Sequence, residues 1–490
     1  MTSMGRSVAA AALLWLGGFL PVAAAPWIDP GERSLRSDIE LLEAWRIVRG
    51  PVTAWPLPWA QLADALSRPA AGLPPHVAAA LDRVRARHLA DTEADGWQAS
   101  VSFAGTTEPV LVRGFAAQGR DEIDGTARAE YLWPSTAVRV SLGVQARGDL
   151  GDAKLRPDGS HIVHETNNLL LYGGYTDQWW GPGWTSSMIL SDNARPFPRV
   201  GVMRNDPKPF ETPVLDWLGP WQANLFIGML EEKGRAVDRP YLVGMRLSAN
   251  PLPGLELGAS RTLQICGRDR PCGGGTWLDA LVGRDNTGDL TDPSNQLAGL
   301  DLRYSARIGS LAYAGYAQYI GEDEAGGFPS RAAGLIGASL AGPAGRGGAY
   351  WRLITEYSDT AASVLSAEKR YDLTYNHFVY RTGYRYRGRP IAHSLDNDTR
   401  LLSVTGLLTD DRGWGYRAAY HRADLNRDGT EGGNMVSATA ETVDAFELGI
   451  EIPLRRSTLD IGLRYQTDQP NTPGRRDPLV AADARWNFRL

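Results

Sequence analysis

A tryptophan-rich segment in the first half of the chain has the residue types best suited to binding a ligand. Trp179, Trp180 and Trp184 stand among glycines and a proline, which rule out a regular strand there. Indole faces stack on the apolar C–H faces of sugar rings, and three of them are costly to leave in water. The segment therefore either offers these faces to a glycan or packs as a plug inside the fold, and the residues alone slightly favour the plug.

Polar side chains that suit a glycan follow in two places. Asp192, Asn193 and Arg195 come shortly after the tryptophans, and such side chains bind hydroxyl and carboxylate groups. Arg385 and Arg387, in the second half of the chain, either bind acidic sugars or line the interior of the fold, and the sequence favours neither alternative. Together with the three tryptophans, these residues form the predicted polysaccharide-binding set.

Other patterns that could carry chemistry are weaker. His161 and His164 lie in a predicted loop without a further metal ligand nearby. Residues 424–429 resemble the opening of a calcium loop, but Met435 stands where an EF-hand needs a bidentate glutamate, so a plain hairpin loop is favoured and a weak calcium site is the alternative. The histidines accompany no recognisable nucleophile motif, and no paired carboxylates stand out. We therefore expect no catalytic residues, no cofactor and no metal.

Residues 1–24 are predicted to be a secretory signal peptide. Arg6 precedes an apolar run over residues 8–20, and the small residues 22–24 form the pattern that a signal peptidase reads, so Ala25 is the predicted first mature residue. The alternative is a membrane anchor, but about thirteen apolar residues are too few to span a bilayer core of about 30 Å. After Ala25 no stretch approaches the roughly 18 uninterrupted apolar residues of a membrane-spanning helix.

The amino-acid composition further limits the class of protein. The formal net charge is −5 without a basic face, which argues against nucleic acid as a partner. Glycine is abundant at 55 residues and tryptophan and tyrosine number 16 and 18, which suits a large barrel. Cys266 and Cys272 are predicted to form a disulfide in an oxidising compartment, with two free thiols as the alternative.

The elements that position these residues begin with a helical segment over residues 25–95. Ser37 and Glu40 have the spacing of a capping box, and apolar residues then recur at helical spacing. Two further short helices are predicted, from Trp59 and from Pro74. Because about 70 residues cannot bury a large core alone, we expect these helices to pack on another part of the chain.

From Trp97 onward the apolar period changes from about 3.6 to about 2. Segments such as 138–147, 446–452 and 459–466 alternate apolar with polar residues, so each strand has one apolar and one polar face. A soluble β-sandwich shows the same alternation. Strands of about nine to eleven residues, repeated charges on the polar face, and aromatic residues near the strand ends favour a membrane barrel.

The connections between strands also favour a barrel, because bacterial outer-membrane barrels have short turns at one end and long loops at the other. Tight links are predicted near 250–254, 306–309, 342–348, 409–414 and 453–457, and long ones near 263–296, 320–332, 358–399, 425–442 and 467–478. Residues 484–490 alternate to the end of the chain, like the C-terminal signal that the barrel assembly machinery reads. About sixteen strands are visible, while Trp97 to Phe103 and the span 176–220 leave the total open.

Three blocks of sequence resemble the capsule assembly protein Wzi family. They are the helical start at 37–42 (SDIELL) with 50–53 (GPVT) and 55–59 (WPLPW), the tryptophan block at 179–184 (WWGPGW) with 190–196 (LSDNARP), and the block at 383–391 (GYRYRGRPI). The blocks span nearly the whole chain after the signal peptide, and the tryptophan block is quite specific.

The resemblance implies an all-β outer-membrane barrel of about eighteen antiparallel strands over residues 96–490, with a small periplasmic helical bundle over residues 25–95. It implies lectin-like attachment of exported capsular polysaccharide or exopolysaccharide to the bacterial cell surface, without catalysis. The expected partners are that polysaccharide, outer-membrane lipid and the barrel assembly machinery. The alternatives are a channel for small solutes or saccharides, which the charged inward faces favour, and an outer-membrane hydrolase, which fits poorly.

Overall fold

The structure of the protein is a computed structural model. It describes residues 25–92, 96–116, 119–146, 154–283, 292–322, 332–362, 369–472 and 476–490. The predicted signal peptide, residues 1–24, lies outside the described residues. An N-terminal helical segment precedes a closed antiparallel β-barrel in the described chain.

Eighteen strands form the barrel within the described residues. Nineteen hydrogen-bonded segments make up the closed sheet, and two of them, Lys154–Arg156 and His161–Thr166, pair with the same strand and form one interrupted strand. The strands are β1 Trp97–Thr106, β2 Ile123–Leu132, β3 Thr136–Ala146, β4 Lys154–Arg156 with His161–Thr166, β5 Leu169–Gly174, β6 Arg199–Arg204, β7 Trp221–Met229, β8 Tyr241–Leu252, β9 Leu255–Ile265, β10 Ser294–Ile308, β11 Leu311–Glu322, β12 Ala332–Pro343, β13 Tyr350–Asp359, β14 Arg400–Thr409, β15 Gly415–Leu425, β16 Glu441–Leu454, β17 Ser457–Gln466 and β18 Leu479–Arg489. The barrel prediction is therefore confirmed, with the strand number that the family resemblance implied.

The first and last strands close the barrel. β18 pairs antiparallel with β1, with Asp483 opposite Thr106 and Arg489 opposite Ser100. The two strand edges that a sheet would otherwise expose are thus hydrogen-bonded to each other, as a structure surrounded by hydrocarbon requires.

The two faces of the wall are sorted by polarity, with the apolar face outside. In β16, Phe446 is 49% exposed and Leu448 is 60% exposed, whereas Glu447 between them is 5% exposed. In β17, Leu463 is exposed and Arg464 is buried. A soluble β-sandwich turns its apolar face inward, so this arrangement is that of a barrel whose outer surface faces lipid.

Short and long connections lie at opposite ends of the barrel. The turns 253–254, 309–310, 410–414 and 455–456 join strands at one end, called here the short-turn end. The loops that join the other ends of the strands are longer, and this is called the long-loop end. An exception at the short-turn end is the connection 205–220, which contains the short 3₁₀ helix Asp216–Leu218.

The N-terminal segment contains three α-helices, α1 Arg33–Ala44, α2 Ala63–Ser67 and α3 Pro75–Thr92, and a 3₁₀ turn at Trp59–Leu62. A fourth helix, α4 Gly274–Val282, follows β9 at the long-loop end. No helix in the described part of the chain is both long and apolar enough to cross a bilayer.

The predicted capping box is wrong. α1 begins at Arg33, so Ser37 and Glu40 lie inside the helix, and its N-cap residue Glu32 makes no side-chain capping bond. Both side chains instead contact the barrel wall: Arg352 Nε donates to Ser37 Oγ (2.8 Å), and Glu40 lies 3.5 Å from the same guanidinium. Ser37 and Glu40 therefore make tertiary contacts with the barrel wall and do not cap the helix.

α1 lies inside the short-turn end of the barrel, and every residue from Leu35 to Ala44 is buried. Its acidic residues pair with arginines that point inward from the wall, as in the 2.7 Å contact between Glu43 and Arg303 of β10. Its apolar residues share one buried cluster with α3 and with Tyr350 of β13. The helices thus obtain from the barrel the core that they could not form alone.

Candidate functional site

The connection between β5 and β6, residues 175–198, folds into the barrel and is called here the tryptophan loop. Its lower part rests on the N-terminal segment, where Trp179–Trp180 pairs antiparallel with Ala54–Trp55. Arg36 of α1 donates to the carbonyl oxygens of Pro182 (2.7 Å) and Gly183 (2.9 Å). Because the guanidinium is fully buried, these two bonds fasten the loop to the helix below it.

Two inward-pointing side chains of the wall hold the middle of the tryptophan loop. Glu356 of β13 accepts the main-chain N–H groups of Trp184 (2.6 Å) and Thr185 (2.7 Å). Gln318 of β11 accepts the N–H of Met188 (2.9 Å) and donates to the carbonyl of Trp180 (3.1 Å). Glycines and a proline prevent this part of the loop from joining the wall as a regular strand, so side chains of the wall satisfy its main-chain groups instead.

The three tryptophans of the predicted site are buried. Trp179 and Trp180 are 0% exposed and Trp184 is 6% exposed. The Trp180 ring centroid lies 5.5 Å from that of Phe226, and a Cβ on Gly244 would lie only 2.9 Å from Trp180 Cη2. Because Gly244 has no side chain, the space next to it is available to the Trp180 indole. The packing corresponds to the plug alternative, and the glycan-stacking role of these rings stays a prediction.

The upper part of the tryptophan loop meets a second loop, residues 369–399, which leads into β14. Tyr375 and Tyr384 of this second loop donate their hydroxyl groups to the carbonyls of Met188 and Ile189, each at 2.9 Å. Asn193 Nδ2 donates to the carbonyl of Pro390 at 2.9 Å. The two loops therefore stack on each other, and with α1 they form one continuous filling of the barrel, called here the plug.

The remaining polar residues of the predicted set are engaged within the plug. Asp192 lies 3.8 Å from the guanidinium of Arg113, and burial raises the pKa of Asp192 to about 6 although Arg113 and Arg120 oppose the rise. Arg195 bonds to Asp158 (2.8 Å) and also contacts Asp121. These groups are buried in ion pairs within the plug, although Asp192 Oδ1 accepts no hydrogen bond from a described residue, so they fix the loop rather than face solvent.

The two arginines of the second loop have different surroundings. Arg385 is buried and forms an ion pair with Asp396 at 2.8 Å. Arg387 is exposed at the long-loop end, its main-chain N–H donates to Glu231 (3.0 Å), and its guanidinium lies 5.3 Å from the ring of Tyr386. All eight predicted polysaccharide-binding residues lie in the described part of the chain, and Arg387 is the one that is exposed.

Two other sequence predictions have a place in the structure. Cys266 and Cys272 form a disulfide just after β9, and Tyr380 of the second loop donates to the carbonyl of Cys266 at 3.1 Å. His161 and His164 lie in β4 and not in a loop, so that prediction is wrong; His161 packs 5.3 Å from the ring of Trp27. Their period-2 segment is too short to be distinguished from a loop by alternation alone.

Sequence reasoning grouped the tryptophans with Asp192 because they are neighbours in the chain, and all of them lie in the tryptophan loop. It missed Arg36, Gln318 and Glu356, which hold the tryptophan loop from α1 and from two distant strands. The sequence signal for Gln318 and Glu356 was their position in the alternation of their strands, which points their side chains into the barrel. Every polar residue that lines a wet lumen has such a position, so the signal does not single these two out.

Comparison with known proteins agrees with this architecture. Residues 94–476 match the family described as Capsule assembly protein Wzi. An uncharacterized 55.8 kDa protein in the cps region of Klebsiella pneumoniae is 29% identical over 305 residues, which cover 61% of this chain and 59% of that relative, so the match spans about three fifths of its length. The solved structure of Wzi, an outer-membrane protein involved in group 1 capsule assembly in Escherichia coli and described as a carbohydrate-binding β-barrel, matches with a TM-score of 0.81 at 24% identity, covering 95% of this chain and 100% of that chain.

Proposed function

Because the chain belongs to the Capsule assembly protein Wzi family, we propose that it attaches exported capsular polysaccharide or exopolysaccharide to the cell surface. It lies in the bacterial outer membrane, where the exposed leucines and aromatic residues of its wall contact lipid. Its long-loop end faces the outside, and its short-turn end, with the helices of residues 25–92, faces the periplasm. The barrel assembly machinery inserts it, and it carries out no catalysis.

The observation that carries the proposal is the filled lumen. An open channel needs a continuous wet path, whereas α1, the tryptophan loop and the second loop occupy the barrel and are joined by buried hydrogen bonds. A barrel filled in this way suits a binding protein better than a channel for small solutes. The fixed plug then serves as a rigid support for side chains at the long-loop end.

We assign direct contact with the polysaccharide to Arg387. The hairpin that carries it pairs Arg385–Tyr386 with Arg389–Pro390. It is held from below by the ion pair of Arg385 with Asp396, and from the side by Arg235, which donates to the carbonyls of Arg385 (2.5 Å) and Gly383 (3.2 Å). An exposed guanidinium on a fixed hairpin suits the carboxylates of acidic sugars. The buried tryptophans, Asp192, Asn193 and Arg195 act by positioning this surface.

The test compares Arg387→Ala with Arg412→Ala, an exposed arginine in the turn at the opposite end of the barrel. Binding of purified protein to the polysaccharide of its own organism should weaken about tenfold in the first variant, the loss of one charge-assisted contact, and stay unchanged in the second. Equal binding by both variants would refute the role of Arg387 but leave the attachment function open.

The function itself is tested in cells. Cells that lack the protein should shed more polysaccharide and retain less on their surface than parent cells. Equal retention would refute attachment. Purified protein should also leave the chain length of the polysaccharide unchanged after long incubation, since shortening would reveal hydrolysis. A large, steady conductance in planar bilayers would favour the channel alternative.

A further inference from the structure

Three carboxylates from two loops converge at the long-loop end of the barrel. Asp372 and Asp398 belong to the second loop, and Asp428 belongs to the connection between β15 and β16. One carboxylate oxygen of each lies within 4.8 Å of the others. Like charges at this separation repel unless protons or a cation neutralise them.

Asp398 is the member that water cannot solvate, because it is 0% exposed. Its Oδ2 accepts the main-chain N–H of Asp372 at 2.8 Å, whereas its Oδ1 is buried and accepts no hydrogen bond from the described residues. Asp372 Oδ1 is likewise buried and unpartnered among the described atoms. A buried, unpaired carboxylate oxygen is costly, so this side chain itself indicates a positively charged ligand.

The neighbouring arginine does not supply that charge by direct contact. Arg427 Nη2 forms a 2.6 Å ion pair with Asp359, and its Nε donates to the main-chain carbonyl of Asp398 at 3.1 Å. Neither described bond goes to the carboxylates of the cluster. The guanidinium therefore holds the main chain of the two loops together beside the cluster. Asp428 Oδ2 accepts from the hydroxyl of Thr430, so the oxygens left for another partner are Oδ1 of Asp372 and Oδ1 of Asp398.

A further buried oxygen is close in the chain. Asn426, two residues before Asp428, is fully buried and its Oδ1 accepts no hydrogen bond from any residue that the structure describes. The spacing of Asp424, Asn426 and Asp428 is that of the opening of a calcium loop, in which Met435 stands at the position of the bidentate glutamate. Asp398, from a different loop, brings a buried carboxylate to the same place.

We propose that Asp372, Asp398 and Asp428 bind a calcium ion that joins the second loop to the β15–β16 loop. All three are hard oxygen ligands and the cluster contains no histidine or cysteine, which disfavours zinc. Two loops with irregular geometry suit calcium, whose coordination is flexible, better than magnesium, which requires a near-ideal octahedron and gives up water reluctantly. The site lies at the long-loop end.

The ion would also fix the hairpin that carries Arg387. Asp396, two residues before Asp398, pairs with Arg385 and accepts the main-chain N–H of Met435 at 2.8 Å. The same two loops are thus already in contact beside the cluster, and a cation between their carboxylates would lock the contact. Whether Arg387 binds polysaccharide does not affect this inference.

The test measures calcium binding to the full mature protein, folded in detergent without lipopolysaccharide and stripped with a chelator. Isothermal titration should give one calcium ion per chain with a dissociation constant below about 1 mM, the range of extracellular modules. Asp428→Asn and Asp398→Asn should each weaken binding at least tenfold. Glu431→Gln, an exposed acid in the same loop but outside the cluster, is the matched control and should bind as the parent does.

Calcium should also slow tryptic cleavage within residues 369–399 and 426–440 of the parent protein and not of Asp428→Asn. Heat-modifiable migration identifies variants whose barrel has failed to form, and Asp428 is exposed, so its replacement preserves folding. The proposal is overturned if the parent shows no saturable binding up to about 10 mM, ten times the weakest sites of this kind. It is also overturned if Asp428→Asn and Asp398→Asn bind calcium as tightly as Glu431→Gln.

Discussion

Replacing Glu356 with glutamine tests whether a buried carboxylate of the wall holds the tryptophan loop in the lumen. Glu356 Oε1 accepts from the main-chain N–H of Trp184 (2.6 Å) and from the hydroxyl of Tyr316 (2.7 Å), and Oε2 accepts from the N–H of Thr185 (2.7 Å). Glutamine has the same shape but replaces one acceptor oxygen with an NH₂ donor. One main-chain N–H of the loop must then face a donor.

The expected cost follows from that geometry. Losing one hydrogen bond to a charged group and leaving a buried N–H unpaired costs about 2 kcal/mol. The strands keep their main-chain ladders, so the cost falls on the closed state of the loop. The population of the open loop should therefore rise roughly thirtyfold. Amide hydrogen exchange within residues 179–190 should accelerate by the same factor, while exchange in the strands stays unchanged.

Glu447→Gln is the matched control. Glu447 also points into the barrel and is buried, but it forms an ion pair with Arg417 and lies 3.9 Å from His421, both of β15, and none of its described ion pairs is with the plug. Its replacement should leave exchange within residues 179–190 unchanged. The reasoning is refuted if Glu356→Gln exchanges at the parent rate while its barrel is intact, or if both variants accelerate exchange equally.

Two further predictions concern the plug and the disulfide. Trp180→Ala and Trp184→Ala should each destabilise the closed loop by about 3–5 kcal/mol through the cavity that they leave, and should reduce polysaccharide retention while heat-modifiable barrel migration persists; loss of that migration would show that the rings are needed for the barrel itself. Replacing Cys266 and Cys272 together with serine should increase protease cleavage of the loop after β9 without lowering the amount of protein in the outer membrane, and absence from the membrane fraction would contradict this.

The wall of the barrel could be predicted from sequence because the residue pattern that specifies each strand lies within that strand. Alternation along a strand such as β16 places apolar residues outside and polar ones inside. The alternation of tight and long links shows which strand ends lie at the same end of the barrel. The count stopped near sixteen because two spans were left open: Trp97 to Phe103, which is part of β1, and residues 176–220, which contain the six-residue β6. Such segments contain too few alternations to be separated from a loop.

The contacts of the plug could not be predicted in the same way. Glu356 and Trp184 are 172 positions apart in the chain, and Arg36 and Gly183 are 147 apart. No local pattern records such a pairing. The sequence indicated that the tryptophans are costly to leave in water. The side chains that bury them are decided by the closure of the barrel and by the docking of α1 beneath the loop.

The charged inner face of the wall, which favoured a channel in the sequence, has another physical explanation. A charge moved into a poorly solvated interior is costly unless a partner compensates it. Arg303 and Arg352 point inward where α1 lies, and Glu40 and Glu43 of that helix meet them at 3.5 to 3.6 Å and at 2.7 Å. Removing the helix would leave Arg303 and Arg352 without these carboxylate partners. These charges therefore bind the helix in the lumen, and an inward charge in such a barrel marks a plug contact as readily as a wet path.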